Sequence, residues 1–267
     1  MIRNIFTRYF SRSSKDFKYI YKLGEGGNSE TFKVKNLYNN KYYTCKQYYN
    51  SCKKQIYKEE IIIKSIKTNN NILPKYYTSI IEEDKSWLLT DYIEGTELFD
   101  FYCSRNILNL NENTAKPIIL KMIDCIDECN KNNIIHLDIK PENFILSYDN
   151  KISLIDFGCS RKFNDINKIY DLNSEKIGTL LYCSPEVLYK NIYHINSDIW
   201  SLGICIYGLI TKKNLFINNE INNPEKKYYL LDELSPELQD LLKQIFVSNP
   251  NRRIYLEDIK KHEWFKI

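Results

Sequence analysis

The sequence predicts an α+β fold of two lobes, a small strand-rich lobe up to about residue 92 and a larger, mainly helical lobe over residues 93–267. Three observations lead to this prediction. Short runs of alternating apolar residues crowd the first third of the chain, and helical apolar spacing dominates from Asn113 onward. Between them, Glu94-Gly95-Thr96 breaks the pattern. At 267 residues, the chain is too short for a string of modules.

Composition narrows the class of protein. Hydrophobic residues make up 43% of the chain and charged residues 27%, as in an ordinary globular protein. The formal net charge of +4 is too small to indicate a nucleic-acid partner. No apolar run approaches the ~20 residues that a membrane-spanning helix needs. We therefore expect neither a nucleic-acid partner nor a membrane span.

A basic arm, residues 1–16, precedes the domain that we place at residues 17–267. Arg3, Arg8, Arg12 and Lys15 all come before the first acidic residue, Asp16. Such a segment is either a short arm or a mitochondrial transit peptide, and we favour the arm and a cytoplasmic location. The eight cysteines show no zinc-ribbon spacing, which is typical of reduced thiols in a cytosolic chain.

The first lobe is predicted to be a small antiparallel sheet with one main helix. Residues 19–23 and 31–34 flank the glycine-rich residues 24–27 as a hairpin, and residues 41–47 form a third strand. Residues 55–66 are helix-forming, and two further strands end at residues 87–92.

The second lobe is predicted from two helical patterns. Helical spacing on one face is kept by Ile119, Met122, Ile123, Ile126 and Cys129. Residues 198–210 are apolar nearly all round, so we expect a helix buried at the centre of the lobe.

Two features of the first lobe suggest a phosphate site. The backbone around Gly24, Gly26 and Ser29 can approach phosphate oxygens, although an ordinary hairpin turn explains the glycines equally well. Lys46 lies in a strand and Glu59 in the helix, where the two could form an ion pair that directs the ammonium toward phosphates. A solvated lysine on an edge strand is the competing interpretation.

The second lobe carries the stronger chemical signal. Asp138, Lys140 and Asn143 stand in a short loop between two apolar, strand-like runs. A carboxylate there can orient a hydroxyl and accept its proton, and a lysine can neutralise charge on a transferred phosphoryl group. Asp156 ends another apolar strand and, with Asn143, offers the oxygen ligands that suit Mg²⁺.

These residues, taken in order, resemble a eukaryotic protein kinase catalytic domain over residues 17–267. Residues 178–186 resemble the end of its activation segment, and residues 198–203 the buried helix that anchors its catalytic loop. Arg253 resembles the arginine that pairs with the glutamate of that segment, here Glu186. Small-molecule kinases of related fold usually lack these features, so the resemblance implies ATP and a protein substrate.

The resemblance implies a role for each matching residue. Asp138 would be the catalytic base, Lys140 would contact the γ-phosphate, and Asn143 and Asp156 would bind Mg²⁺. Lys46, paired with Glu59, would hold the α- and β-phosphates. The implied nucleotide-binding residues are Leu23, Gly24, Glu25, Gly26, Gly27, Asn28, Ser29, Glu30, Thr31, Thr44, Lys46, Glu59, Thr90, Asp91, Ile93 and Ile145.

The resemblance also bears on specificity. Lys140 and Thr179 match the Ser/Thr-specific pattern, and residues 95–98 and 141–144 are most similar to the calcium/calmodulin-dependent group. Glu97 is kept, but Gly208 stands where many basophilic kinases carry glutamate. This combination permits a preference for arginine three residues before the acceptor and disfavours one at two residues before it.

The chain departs from the family pattern at Leu137, where an arginine normally pairs with a phosphate on the activation loop. Leucine cannot make that pair, so we expect activity without phosphorylation of Ser174 or Tyr170. The main alternative is a pseudokinase that acts as a binding scaffold, and another is an enzyme that phosphorylates a small metabolite.

Overall fold

The computed structural model describes residues 13–27, 29–49, 53–68, 70–103, 111–165, 170–171, 178–213 and 231–266. The chain divides into two compact units. The first contains the described residues up to Glu60 together with Lys75–Tyr92, and the second contains Ile61–Pro74 and the chain from Ile93 onward. Residues 61–74 group with the second unit because their backbone is bonded there, for example through the N–H of Leu154, which donates to the carbonyl of Ile72 at 3.0 Å.

The first unit is built on a five-stranded antiparallel sheet in the order β1-β2-β3-β5-β4. Its strands are β1 (Phe17–Gly26), β2 (Ser29–Asn36), β3 (Tyr42–Tyr49), β4 (Tyr76–Ile81) and β5 (Lys85–Asp91). The predicted hairpin and the later strands are confirmed. The hairpin strands extend two to three residues beyond the predicted bounds at each end, because pairing continues through Gly24 and Gly26.

One face of this sheet carries the unit's apolar core. The core residues are Phe17, Val34, Tyr43, Cys45, Ile80, Trp87 and Leu89. Successive side chains of a strand point to opposite faces, so Tyr43 and Cys45 turn into this core while Thr44 and Lys46 turn to the other face. After β3 comes helix α1 (Lys53–Ser65), which has Ile56 and Glu59 among its buried residues.

The second unit is mainly helical. Its helices are α2 (Leu98–Cys103), α3 (Glu112–Lys131), α4 (Pro185–Lys190), α5 (Ser197–Thr211), α6 (Pro236–Ile245) and α7 (Leu256–Ile259). Its short strands are β6 (Thr96–Glu97), β7 (Ile134–Ile135), β8 (Phe144–Leu146), β9 (Ile152–Leu154), β10 (Arg161–Lys162), β11 (Tyr170–Asp171) and β12 (Ile192–Tyr193). They form the small sheets β6-β8-β9, β7-β10 and β11-β12. The predicted α+β fold, with a small antiparallel sheet unit and a larger helical unit, is therefore confirmed.

Two helices of the second unit have extensive buried faces. The five apolar residues predicted to share one face of α3 are all fully buried. Asn111 caps this helix and accepts a hydrogen bond from the N–H of Thr114 at 2.9 Å. Nearly every residue of α5 from Ser197 to Leu209 is buried, as the continuous apolar pattern predicted.

Within the described part of the chain, no helix combines the length and the apolar composition required to cross a membrane. The cysteines with described side chains are free thiols, as expected, and most of them are buried.

Candidate active site

The loop that carries the candidate catalytic residues runs from β7 to β8. The backbone at its start is hydrogen-bonded to the side chain of Asp198. The N–H groups of His136 and Leu137 donate to the two carboxylate oxygens of Asp198 at 2.7 and 2.8 Å. Burial raises the pKa of Asp198 to about 7, and the two backbone hydrogen bonds oppose that shift. A buried carboxylate at the second position of α5 therefore determines where the loop begins.

Leu137 turns the loop in a left-handed conformation, with φ of +64°. Its side chain packs into an apolar cluster formed by Ile135, Leu137, Phe163, Cys183, Val187 and Tyr193. Its carbonyl oxygen lies where a Cβ on Gly178 would come within 2.4 Å, so glycine is required at that position, whose φ is +86°. Leu137 thus contacts the activation segment through both its side chain and its backbone.

Asp138 is buried and receives four hydrogen bonds at its carboxylate. Lys140 Nζ lies 2.9 Å and Asn143 Nδ2 3.0 Å from Oδ2, while the N–H and hydroxyl of Thr179 donate to Oδ1 at 2.9 and 2.7 Å. Burial by itself would raise the pKa of Asp138, but the Lys140 ammonium and the Thr179 hydroxyl outweigh it, so this pKa lies below its usual value. The carboxylate is therefore ionised at neutral pH.

Lys140 and Thr179 complete a compact polar group with Asp138. Lys140 Nζ donates to the Thr179 hydroxyl at 2.9 Å. Burial opposes the charge of Lys140, but the hydrogen bond and charge of Asp138 raise its pKa above the usual value. The structure brings together an anionic oxygen and a fixed cation, as the sequence predicted for this loop.

The candidate metal ligands offer oxygen atoms. The side-chain nitrogen of Asn143 donates to the carbonyl and the carboxylate of Asp138, at 2.7 and 3.0 Å, which leaves the amide oxygen as the atom able to bind a cation. Asp156 is exposed, has φ of +61°, and accepts the N–H of Gly158 at 3.1 Å. Next to it, the Phe157 ring packs edge-on against His136.

The two candidate ligands have the chemistry of a magnesium site that a nucleotide would complete. The described residues hold no cluster of three or more His, Cys, Asp or Glu side chains able to bind a metal by themselves. Mg²⁺ usually takes one or two protein oxygens, together with phosphate and water oxygens. An amide oxygen and one carboxylate match that requirement.

In the first unit, Lys46 forms a partly buried ion pair. Its Nζ lies 2.9 Å from Oε2 and 3.2 Å from Oε1 of Glu59, and only 3% of Glu59 is exposed. The hydroxyl of Tyr48 also donates to Oε2 of Glu59. Since β3 is the central strand of the sheet, the alternative of a solvated edge-strand lysine is wrong.

Other predicted nucleotide-binding residues share the sheet face of Lys46. Thr31 is the cross-strand partner of Lys46, and Thr44 is the partner of Thr90. Directly opposed residues of neighbouring strands point to the same face, so these four side chains lie on one side of the sheet. Asp91 ends β5.

The glycine-rich hairpin has an extended backbone with open space at two of its glycines. Gly24 and Gly26 lie inside β1 without positive φ, and a Cβ on Gly24 or Gly27 would meet no other atom. Lys22 bridges the two strands through Glu25 at 2.6 Å and Glu30 at 2.8 Å. The dihedral angles of these described glycines do not require glycine, so both the approach to phosphate oxygens and an ordinary hairpin turn stay open.

The remaining predicted residues are distributed over three places. Leu23 lies in β1 and is exposed, while Ser29 starts β2 and is buried. Ile93 and Ile145 belong to the second unit, where Ile145 is buried in β8. Asn28 lies outside the described residues.

The predicted ion pair between Arg253 and Glu186 is buried in the second unit. The Arg253 guanidinium binds both carboxylate oxygens of Glu186, at 2.7 and 2.8 Å. It also donates to the carbonyls of Asn196 and Val247 and lies over the ring of Trp200. This pair joins α4, which closes the activation segment, to the chain between α6 and α7.

Sequence reasoning missed the contact of Tyr48 with Glu59. The signal was present, because period-two alternation along β3 turns Tyr48 to the same face as Lys46. Sequence reasoning also did not foresee that Thr179 binds the carboxylate of Asp138 directly. That contact joins residues far apart in the chain, which no local pattern reveals.

Comparison with known proteins identifies the family. The family model described as the protein kinase domain matches residues 17–265. An Aurora kinase from Dictyostelium discoideum is 32% identical over 214 residues, which cover 78% of this chain and 54% of that protein. The carbon catabolite-derepressing protein kinase of Candida glabrata is 31% identical over 199 residues, or 72% of this chain and 31% of that protein.

A third relative matches more of the chain. The serine/threonine-protein kinase PKH2 of Saccharomyces cerevisiae is 29% identical over 271 residues, which cover 94% of this chain and 25% of that protein. The chain thus spans about a quarter to a half of the length of these curated relatives. Since the family model matches nearly every residue, including the loop around Asp138, this chain belongs to the protein kinase domain family.

Proposed function

We propose that the protein is a serine/threonine protein kinase, which transfers the γ-phosphate of ATP to serine or threonine hydroxyls of protein substrates in a Mg²⁺-dependent reaction. The observation that carries the proposal is the buried, ionised Asp138, which lies within 3.0 Å of both Lys140 and Asn143. One of the relatives is a serine/threonine-protein kinase, which favours the same acceptor class.

Asp138 would orient the acceptor hydroxyl and take up its proton as the oxygen attacks phosphorus. A lowered pKa keeps the carboxylate ionised before the reaction, as a base requires. Lys140 would neutralise charge on the transferred phosphoryl group, since its own pKa is raised and its ammonium is held by Asp138 and Thr179.

The nucleotide phosphates would be bound by a lysine and by a magnesium ion. Lys46, with its ammonium held by Glu59, would bind the α- and β-phosphates. Asn143 and Asp156 would bind Mg²⁺, which when present neutralises phosphate charge and orients the phosphate oxygens.

The test is phosphate transfer from labelled ATP with Mg²⁺ to a generic basic protein. We expect Asp138→Asn and Lys46→Met to lower the rate by about 10²–10⁴-fold, because each removes a group that acts on the phosphoryl group or the attacking oxygen. Asp149→Asn is the matched control, since Asp149 is an exposed turn residue whose partners among the described residues are its neighbours Ser147 and Lys151. Equal, feeble signals from the wild type and both variants would instead favour a pseudokinase scaffold.

A preference for arginine three residues before the acceptor is part of the proposal. Burial raises the pKa of Glu97, and the charges of Asp100 and Glu142 add to this shift. Three carboxylates therefore lie near one another in the second unit. Such a group attracts a guanidinium. In a positional peptide library we expect selection for arginine at that position and its loss in Glu97→Gln, whereas indifference of the wild type to arginine would contradict the preference.

A further inference from the structure

Tyr48 occupies a position on β3 from which it contacts the nucleotide-binding pair directly. It lies two residues after Lys46, so both side chains point to the face of the sheet opposite the apolar core. Its neighbours across the ladder are Ser29 on β2 and Ser86 on β5, whose small side chains leave room for the phenol ring. Only 3% of Tyr48 is exposed.

The hydroxyl of Tyr48 and the ammonium of Lys46 bind the same carboxylate oxygen, Oε2 of Glu59. The ammonium also lies 5.6 Å from the centre of the Tyr48 ring. Tyr48 therefore contacts both members of the ion pair, one through its hydroxyl and the other through its ring.

Because Glu59 is buried, the hydrogen bond from the Tyr48 hydroxyl helps to satisfy its carboxylate. A buried carboxylate is costly unless donors satisfy it, and a hydrogen bond to a charged group is stronger than one between neutral groups. When the Lys46 ammonium binds phosphate oxygens, part of its interaction with Glu59 is shared with the nucleotide. A second donor on Glu59 keeps the carboxylate in place, so that Lys46 stays oriented.

We propose that Tyr48 is a positioning residue for the nucleotide phosphates, acting through Glu59 on Lys46. This inference rests on the proposed function and extends the phosphate-binding set beyond the two residues of the ion pair. Because Tyr48 would act through Glu59 and Lys46, its removal should act on ATP binding more than on the chemical step.

The experiment compares Tyr48→Phe with the wild type. This substitution removes the hydroxyl and keeps the ring, so packing between the flanking serines is retained. We expect the dissociation constant of Mg²⁺-ATP, measured by calorimetry, and the KM for ATP to rise about three- to tenfold, while kcat changes less than about twofold. The matched control is Tyr43→Phe, on the opposite face of β3, where the hydroxyl accepts a hydrogen bond from Asn39 at 3.0 Å.

A double-mutant cycle with Glu59→Gln separates positioning from stability. In the Glu59→Gln background, Tyr48→Phe should change the ATP dissociation constant by less than about twofold, because the group through which Tyr48 acts has been replaced. An unchanged dissociation constant in Tyr48→Phe alone would overturn the inference, whether or not the unfolding temperature falls. So would an equal effect in the two backgrounds.

The two proposals fail in different ways. A wild type that binds ATP but transfers no phosphate would reject the kinase activity, and the dissociation constants would still decide the role of Tyr48. A wild type that binds no ATP would overturn both.

Discussion

Asp198 shows how one buried side chain determines the position of the residues around Asp138. It lies at the start of α5 and accepts the N–H groups of His136 and Leu137, so the loop reaches Asp138 in a defined orientation. Removing a carboxylate from water disfavours its charged form, and burial accordingly raises the pKa of Asp198 to about 7. The loop is therefore anchored on a group that titrates near neutral pH.

The raised pKa leads to a prediction about stability and pH. In the unfolded chain an aspartate titrates near pH ~3.9, so between that value and about 7 the folded protein holds a proton that the unfolded chain has lost. The stability from this difference is fully present at low pH and is lost as pH rises toward 7. We expect the free energy of unfolding of the wild type, relative to Asp198→Asn, to fall by up to about 1.4 kcal/mol per pH unit in this window and to level off above it.

Urea unfolding of the wild type and Asp198→Asn at about pH 5.5, 6.5, 7.5 and 8.5 measures this difference. Asp149→Asn serves as the control, because its partners Lys151 and Ser147 lower the pKa of Asp149 to about 2, outside the window. A stability difference between the wild type and Asp198→Asn that stays constant over the whole range would contradict the titration of Asp198.

At the scale of elements, the described end of the activation segment is attached by apolar packing and backbone fit. Leu137 packs with Cys183 and Val187 from the segment and α4, and Gly178 lies against the Leu137 carbonyl. Thr179 then binds Asp138. A leucine side chain in an apolar cluster cannot form an ion pair with a phosphate group. This supports the expectation that activity does not depend on phosphorylation of this segment.

Loss of the Leu137 side chain should affect the protein more than loss of the hydroxyl groups that could be phosphorylated. We expect Leu137→Ala to lower the free energy of unfolding by about 2–4 kcal/mol and to reduce phosphate transfer, since it leaves a cavity beneath the segment. Ser174→Ala, at a position outside the described residues, and Tyr170→Phe should keep most of the activity. The Tyr170 hydroxyl donates to the Asp165 carbonyl at 2.7 Å, a structural contact within the loop. Large activity losses in both hydroxyl variants would show that phosphorylation is needed after all.

On the scale of the whole molecule, a buried ion pair joins parts of the second unit that are distant in the chain. Glu186 closes the activation segment, and Arg253 follows α6. Arg253 binds both oxygens of Glu186, while Ser197 at the start of α5 donates to the same carboxylate at 3.0 Å. A buried pair of this kind contributes little relative to apolar residues, but breaking it leaves a charge without compensation.

Arg253→Ala should therefore lower the free energy of unfolding by about 3–5 kcal/mol in urea titrations, because Glu186 is left buried without its cation. Arg252→Ala is the control, since Arg252 is the exposed neighbour and should change stability by less than about 0.5 kcal/mol. A small effect of Arg253→Ala, similar to that of the control, would mean that Glu186 is satisfied by other donors.

Local sequence patterns were enough to predict most of the fold and the kinds of residues in the candidate site. Alternation predicted the strands of the first unit, and helical spacing predicted the buried face of α3. The order of motifs, from the glycine-rich hairpin to Arg253, indicated the family because each motif combines rare residue types at short spacing. These features depend on residues that are close in sequence, so they are visible before folding.

Tertiary structure decided the contacts between residues far apart in the chain. The donors around Asp138 include Thr179, and the anchor of its loop is Asp198, although neither neighbours the loop in sequence. The central position of β3, the contact of Tyr48 with Glu59 and the packing of Leu137 likewise depend on which elements lie side by side. A sequence determines which groups can titrate, bind or pack, but burial and the distance between charges set their pKa values and partners, and these arise only when the chain folds.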